Sequence, residues 1–303
     1  MSSLVEKKLE IWKKKLLDMG KRNRLLNYRD LKRGTLKITS PDYEQLYKTV
    51  VVDEKTLTFP HYSGGIPLDT DEEDVPSGVR VLGSFKTDQS VKECNKTAKA
   101  LRAKARTFSE EQGVNVLYLV FGFLEWKEQN TSTPLNSPLV LVPVVLSQTR
   151  VTDPYKLNID DEEIILNPTL AYKMEKEYAL DFPEFYQYID DIDDYLDSIE
   201  VIIAPLGWKV RRDVSLALLS FAKINMYKDL EHRSTGLLEN ELVQAIAGEI
   251  TDVSSDISWL KSYEHDETFS PQKTFQILDA DSSQQDAILL SKKGVNFVLQ
   301  GPP

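Results

Sequence analysis

Residues 114–128, VNVLYLVFGFLEWKE, and residues 137–150, SPLVLVPVVLSQTR, are the most strand-like runs of this 303-residue chain, long, aromatic and rich in β-branched side chains. The stretch between them, QNTSTPLN, is rich in turn-forming residues. This pattern predicts two central strands paired antiparallel.

Upstream of the pair, Val91, Cys94, Ala98, Leu101, Ala105 and Phe108 recur at spacings of three and four. A helix over about 88–112 is predicted, with Gly113 as its stop. Earlier still, LKIT (36–39), TVVVDEKTLTFP (49–60) and GVRVLGSF (78–85) read as short strands, the last two separated by the acidic loop GGIPLDTDEEDVPSG. At the N-terminus, Val5, Leu9, Trp12, Leu16 and Met19 mark an amphipathic helix that starts behind Ser2 or Ser3 and ends or bends at Gly20.

Downstream, YKLNI and EEIILN predict a hairpin around Asp160 and Asp161, and Pro168 suits the first turn of a helix ending near Tyr178. A further helix is predicted over Pro183 to Glu200, its acidic face made of Asp190, Asp191, Asp193, Asp194 and Asp197. VIIAPLGWKVRR reads as strand, turn and strand, and VSLALLSFAKINMYKDL, apolar on nearly all sides, as an enclosed helix. ENELVQAIAG is periodic, and YEHDETFSPQKT (263–274) reads as a linker. No internal repeat is present. The fold class expected is α+β: a mixed, mainly antiparallel sheet with packed helices.

Composition excludes several chemistries. Cys94 is the sole cysteine, so neither an internal disulfide nor a cysteine zinc site can form, and it falls in a packing stripe. His61, His232 and His265 lack ligand spacing. Glu125 and Lys127 have the E-x-K spacing of a restriction-type nuclease but no second carboxylate precedes them convincingly, and an EF-hand loop begun at Asp191 would put Leu196 where Gly is needed. No apolar stretch is long enough to span a bilayer and the N-terminus is no signal peptide, so no membrane association and a cytoplasmic location are expected.

Charge is unevenly spread. The formal net charge is -11, yet residues 1–37 hold twelve Lys and Arg against four Asp and Glu. Lys21, Arg22, Arg24, Arg29, Lys32 and Arg33, with Tyr28, could follow a phosphate backbone through salt-dependent contacts. The alternative is a solvated face, or an internal dock for the acidic body.

The chain closes on DADSSQQDAILLSKKGVNFVLQGPP. Val295 to Gln300 reads as a buried strand, and Gly301 stands where a phosphate-binding loop places its first glycine. Ser283, Gln284 and Ala287 precede that strand as S-Q-x-x-A. Together these residues resemble superfamily 1 helicases of the group that includes the nonsense-mediated decay helicases, whose loop opens G-P-P as Gly301, Pro302 and Pro303 do here. The resemblance implies a role for Gln284 at an adenine edge, with Gly301, Pro302 and Pro303 starting a phosphate loop.

The segments LEIWKKKLLDMGKRNRLLNYR, EEQGVNVLYLVFGFLEWKE, SPLVLVPVVL, LNPTLAYKMEKEY and LLSFAKINMYKDL resemble the domain-of-unknown-function family 4011, a module found ahead of such motors in large bacterial proteins associated with nucleic-acid processing and antiphage defence. The two resemblances imply an accessory module over residues 1–270 and, over 275–303, the first helix and strand of a truncated RecA-like ATPase domain. The parent would be an ATP-dependent helicase using ATP and Mg²⁺ and acting on DNA or RNA, single-stranded by preference. This chain lacks the phosphate-loop lysine and should not hydrolyse ATP, its missing helicase domains being the expected partners. The rival reading is a stand-alone protein-interaction or nucleic-acid-binding module, recognising its partner through the acidic helix or the basic arm.

Overall fold

The computed structural model describes residues 3–16, 19–129, 131–185, 191–220, 222–249 and 278–301. The chain divides into two compact units, Leu16–Tyr227 and a second made of Met1–Lys15 with Lys228–Pro303.

The first unit is built on an antiparallel sheet. In chain order its strands are β1 (Thr35–Ser40), β2 (Leu57–Thr58), β3 (His61–Tyr62), β4 (Val81–Leu82), β5 (Lys86–Thr87), β6 (Leu117–Trp126), β7 (Leu135–Ser147), β8 (Lys156–Ile159), β9 (Ile165–Leu166) and β10 (Lys209–Leu218). The spatial order is β2-β8-β7-β6-β10-β1-β5, with β9 also on β7, while β3 and β4 pair separately. The two opening stretches are the expected antiparallel pair, in register from Tyr118 opposite Pro143 to Trp126 opposite Leu135. They lie well inside the sheet, and the fold is α+β.

Both sheet faces are covered. On one, Leu117, Leu119, Phe121, Leu124 and Trp126 of β6 join the core with Cys94, Ala98 and Leu101 of α3 (Val91–Gln112) and Leu196, Ile199 and Ile203 of α5 (Ile192–Ile203). On the other, Tyr118, Val120 and Phe123 pack with Leu141, Ala217 and Leu219 beneath Leu25 and Tyr28. The alternation changes phase between Phe121 and Leu124, and the residue that permits it is Gly122, whose φ of 77° lies in the left-handed region. Opposite it, Arg212 and Asp213 of β10 form a bulge, since Phe123 pairs with Arg211 and Phe121 with Val214.

The helices carry their signals in sequence. α3 is capped by the Ser90 hydroxyl on Glu93 N and stopped at Gly113 (φ 66°). Before it come α2 (Tyr43–Tyr47), capped by Asp42, and a π-helical turn (Lys48–Val52). α4 (Pro168–Tyr178) has Pro168 in its first turn, as expected, behind an Asn167 cap.

Four local expectations are corrected. Thr49–Val52 is the π-helical turn rather than a strand, because Val50 is drawn into the core and tertiary packing overrides β-propensity. YKLNI and EEIILN are not a hairpin: β8 pairs with Val144–Ser147 and β9 with Val140 and Leu141 of the same strand, and between them lies Pro143, which has no N–H to donate. Val201–Ile203 ends α5 instead of starting a strand, since Ile203 continues the four-residue step from Ile199, and the helix starts only at Ile192, capped by Asp191. Val214–Leu218 is strand, not helix. Apart from Ser215 it is apolar, because β10 is covered on both faces, and so short a run has no periodicity to separate strand from helix. α6 (Ala222–His232) begins only afterwards.

In the second unit, α1 (Leu4–Leu16) packs Val5, Leu9 and Trp12 on Leu237 and Leu238 of α7 (Ser234–Leu238) and Val243 and Ala247 of α8 (Glu241–Ala247). Met19, expected on the same stripe, packs instead into the main core of the first unit. α9 (Ser282–Lys292) follows, burying Leu289 and Leu290. Val295 to Gln300 is not the expected buried strand: it pairs with no strand among the described residues, and Val298 and Leu299 are 94% and 74% exposed. A strand is stable only with a neighbour to take its backbone N–H and C=O groups. The linker over 263–274, the boundary near 270–275, His265, Asp190, Pro302 and Pro303 lie outside the described residues. Among those residues no helix is long and apolar enough to cross a membrane.

Candidate functional site

The cationic segment Lys21–Arg33 lies over the second face of the sheet as a series of turns, with Asn23 Oδ1 accepting from Leu25 N (2.9 Å) and Asn23 O from Asn27 N (2.9 Å). Leu25 and Tyr28 point into the sheet and Leu26 enters the main core. Its backbone is tied to β7 and to the Asn167 cap of α4. Asn167 Nδ2 donates to Leu25 O (2.7 Å) and Pro138 O (2.8 Å), Ser137 Oγ to Leu26 O (2.7 Å), and Tyr28 N to Asn136 O (2.6 Å). Ser137 is itself fixed by Trp126 Nε1 at 2.8 Å. Buried carbonyls satisfied in this way give the segment one conformation.

The seven residues proposed from sequence therefore separate. Tyr28 is buried, 4.9 Å from the Phe123 ring, and burial pushes its hydroxyl pKa up to about 12. Arg24 donates from Nη1 to Leu218 O (2.9 Å) and lies 5.2 Å from the Tyr28 ring, and burial pulls its guanidinium below its ordinary value. Both hold the segment down rather than face solvent. Lys21 is exposed and bridged to Glu128 at 3.5 Å, while Arg22, Arg29, Lys32 and Arg33 are exposed. The arrangement is a set of cations on a stiff backbone, suited to an anionic partner.

A family model described as "Protein of unknown function (DUF4011)" matches residues 15–174, more than half of the chain. The chain belongs to the DUF4011 family. Neither curated proteins nor solved structures provide a match. The DUF4011 region holds the cationic segment and its Ser137, Pro138 and Asn167 anchors, whereas Leu218 and all of β10, the strand joining β6 to β1, lie beyond the match. Sequence reasoning missed Asn167 and Ser137. The Asn-Pro pair ahead of α4 was the available signal, since Asn is a strong cap residue.

Around the DUF4011 sheet, the acidic helix face is engaged internally. Arg212 Nε bonds Asp193 (2.6 Å), and its Nη2 bonds Asp197 and reaches Glu200 (3.2 Å). The Tyr43 hydroxyl also bonds Asp193. Cys94 is fully buried, with its thiol pushed up to about 12 by desolvation, and is no nucleophile. Glu125 lies opposite Lys209, and among the described residues no group of acidic, His or Cys side chains could hold a metal. Lys173 is buried against Glu128 (3.3 Å) and Glu177 (2.9 Å). Burial opposes its charge, yet the two carboxylates prevail and raise its pKa.

The C-terminal residues carry a different local logic. Asp281 Oδ1 accepts from Gln284 N (2.9 Å) while Gln284 Oε1 accepts from Asp281 N (3.0 Å), so Gln284 closes a capping box on α9. Its amide oxygen is committed to that bond, and Gly301 is exposed after a segment that pairs with no strand among the described residues. In this structure the role of Gln284 is the local one of closing the first turn of α9.

Proposed function

We propose that this DUF4011 chain is the accessory module of an ATP-dependent superfamily 1 helicase, contacting DNA or RNA through Lys21, Arg22, Arg29, Lys32 and Arg33. In this reading ATP and Mg²⁺ serve a motor domain rather than the module that the described residues build. The supporting observation is the anchoring of the segment: its backbone is bonded to Asn167, Ser137 and Asn136 while four cations face outward without an ion pair among the described residues. Fixed cations lose less entropy on meeting phosphates than cations on a mobile arm. The rival interaction role through the acidic helix is weakened by Arg212, which already neutralises part of that face.

Labelled single-stranded DNA titrated at about 50 and 200 mM salt tests the reading. Binding should weaken steeply with salt, and Arg22→Glu with Arg29→Glu should make the dependence shallower by about one unit of slope per cation removed. Absence of binding at the lower salt would rule out the nucleic-acid role.

A further inference from the structure

We propose that the cleft between the end of β6 and the start of β10 receives one nucleotide unit of an unpaired nucleic-acid strand, the base against Trp208 and the phosphate on Lys127 and Lys209. The inference rests on the nucleic-acid reading above and supplies its preference for single strands.

The cleft encloses about 370 Å³ and is lined by Glu125, Lys127, Pro134, Gly207, Trp208 and Lys209. That volume is at the lower end for small-molecule sites, enough for one flat ring and far too little for a duplex. Trp208 is half-buried and held in place: its ring meets Trp126 edge-on at 5.7 Å and Tyr178 at 5.1 Å, and Trp126 is fixed by Ser137. A rigid aromatic wall stacks a base without ordering cost, whatever the base.

The charges suit a phosphate. Lys127 and Lys209 are exposed and make no ion pair among the described residues. Glu125 stands cross-strand from Lys209 and two residues before Lys127, leaving an excess of one positive charge. Glu128 does not add to the negative side, because Lys21 (3.5 Å) and Lys173 (3.3 Å) take its two oxygens. The same Lys21 contact brings the head of the cationic segment beside the cleft, so a strand running over Arg22 can continue into it.

The experiment uses the full chain with labelled oligothymidylate of about 15 nucleotides, its duplex, and AMP. The wild type should favour the single strand. Lys127→Ala with Lys209→Ala should weaken single-strand binding about tenfold while leaving duplex binding unchanged. Single-strand binding should also quench tryptophan fluorescence, and Trp208→Phe should abolish the quench; the exposed lysine pair keeps the test valid if that variant folds poorly. Equal binding of strand and duplex by the wild type, or an unchanged affinity of the lysine variant, overturns the cleft while the broader reading stands. AMP binding as tightly as the strand overturns the strand as occupant. Failure of the wild type to bind either polymer overturns both readings.

Discussion

Asn167 Nδ2 lies 2.7 Å from the carbonyl oxygen of Leu25, 142 residues earlier in the chain, and the same side chain's Oδ1 accepts from Thr169 N and Leu170 N at 3.2 Å. One amide thus caps α4 and clamps the cationic segment to β7. Only an Asn has a donor and an acceptor placed for both tasks.

Asn167→Ala should therefore remove the cap and strand two buried carbonyls, costing about 3 kcal/mol of stability. Asn167→Asp keeps the cap acceptor but sets a carboxylate against the Leu25 and Pro138 oxygens, and should not rescue. Urea unfolding of the three proteins measures this; an Asp variant as stable as the wild type would show that the clamp contributes nothing.

Gly122 and Gly207 make a controlled comparison. Both have left-handed φ, 77° and 68°, but a Cβ on Gly122 would stand 2.8 Å from Leu196 Cδ2, whereas at Gly207 it meets open space. Gly207→Ala should cost about 1 kcal/mol from backbone strain alone. Gly122→Ala should cost about 3 kcal/mol, because Leu196 must also move out of a close-packed core. Similar melting temperatures for the two variants would contradict the packing at the phase change.

The Arg212 cluster should give stability an acid limb. Hydrogen bonds from Arg212 and Tyr43 hold the Asp193 carboxyl below its ordinary value. A carboxyl lowered in the folded state contributes stability that is present above about pH 4, the unfolded value, and is lost as pH falls through the folded one. Arg212→Met should lower stability at pH 7 by on the order of 1 kcal/mol, since the partners are part-exposed and screened, and the deficit should shrink below pH 4 and at high salt. Denaturation curves at pH 7 and 3 test the sign.

Cys94 offers a probe of opening. Burial pushes its thiol up to about 12, so Cys94 is held in the protonated, unreactive form as well as being shielded from solvent. A thiol-specific disulfide reagent should label the native chain far more slowly than the urea-unfolded chain. Comparable rates would place Cys94 outside the core.

The sequence by itself determined the elements whose signals are local. The β6–β7 pair, α3 with its Ser90 and Gly113 ends, and α4 behind Pro168 follow from apolar runs, period and caps, all read within a few turns of chain. The tertiary structure decided what depends on a distant neighbour. Val214–Leu218 is strand because β6 and β1 lie on either side of it, and Val295–Gln300 has strand composition without a partner strand among the described residues. Likewise a count of basic residues could not tell Arg24 from Arg22. One donates to Leu218 O, from the other end of the unit, and the other faces water; burial is set by whatever the fold brings alongside, which no window of the sequence contains.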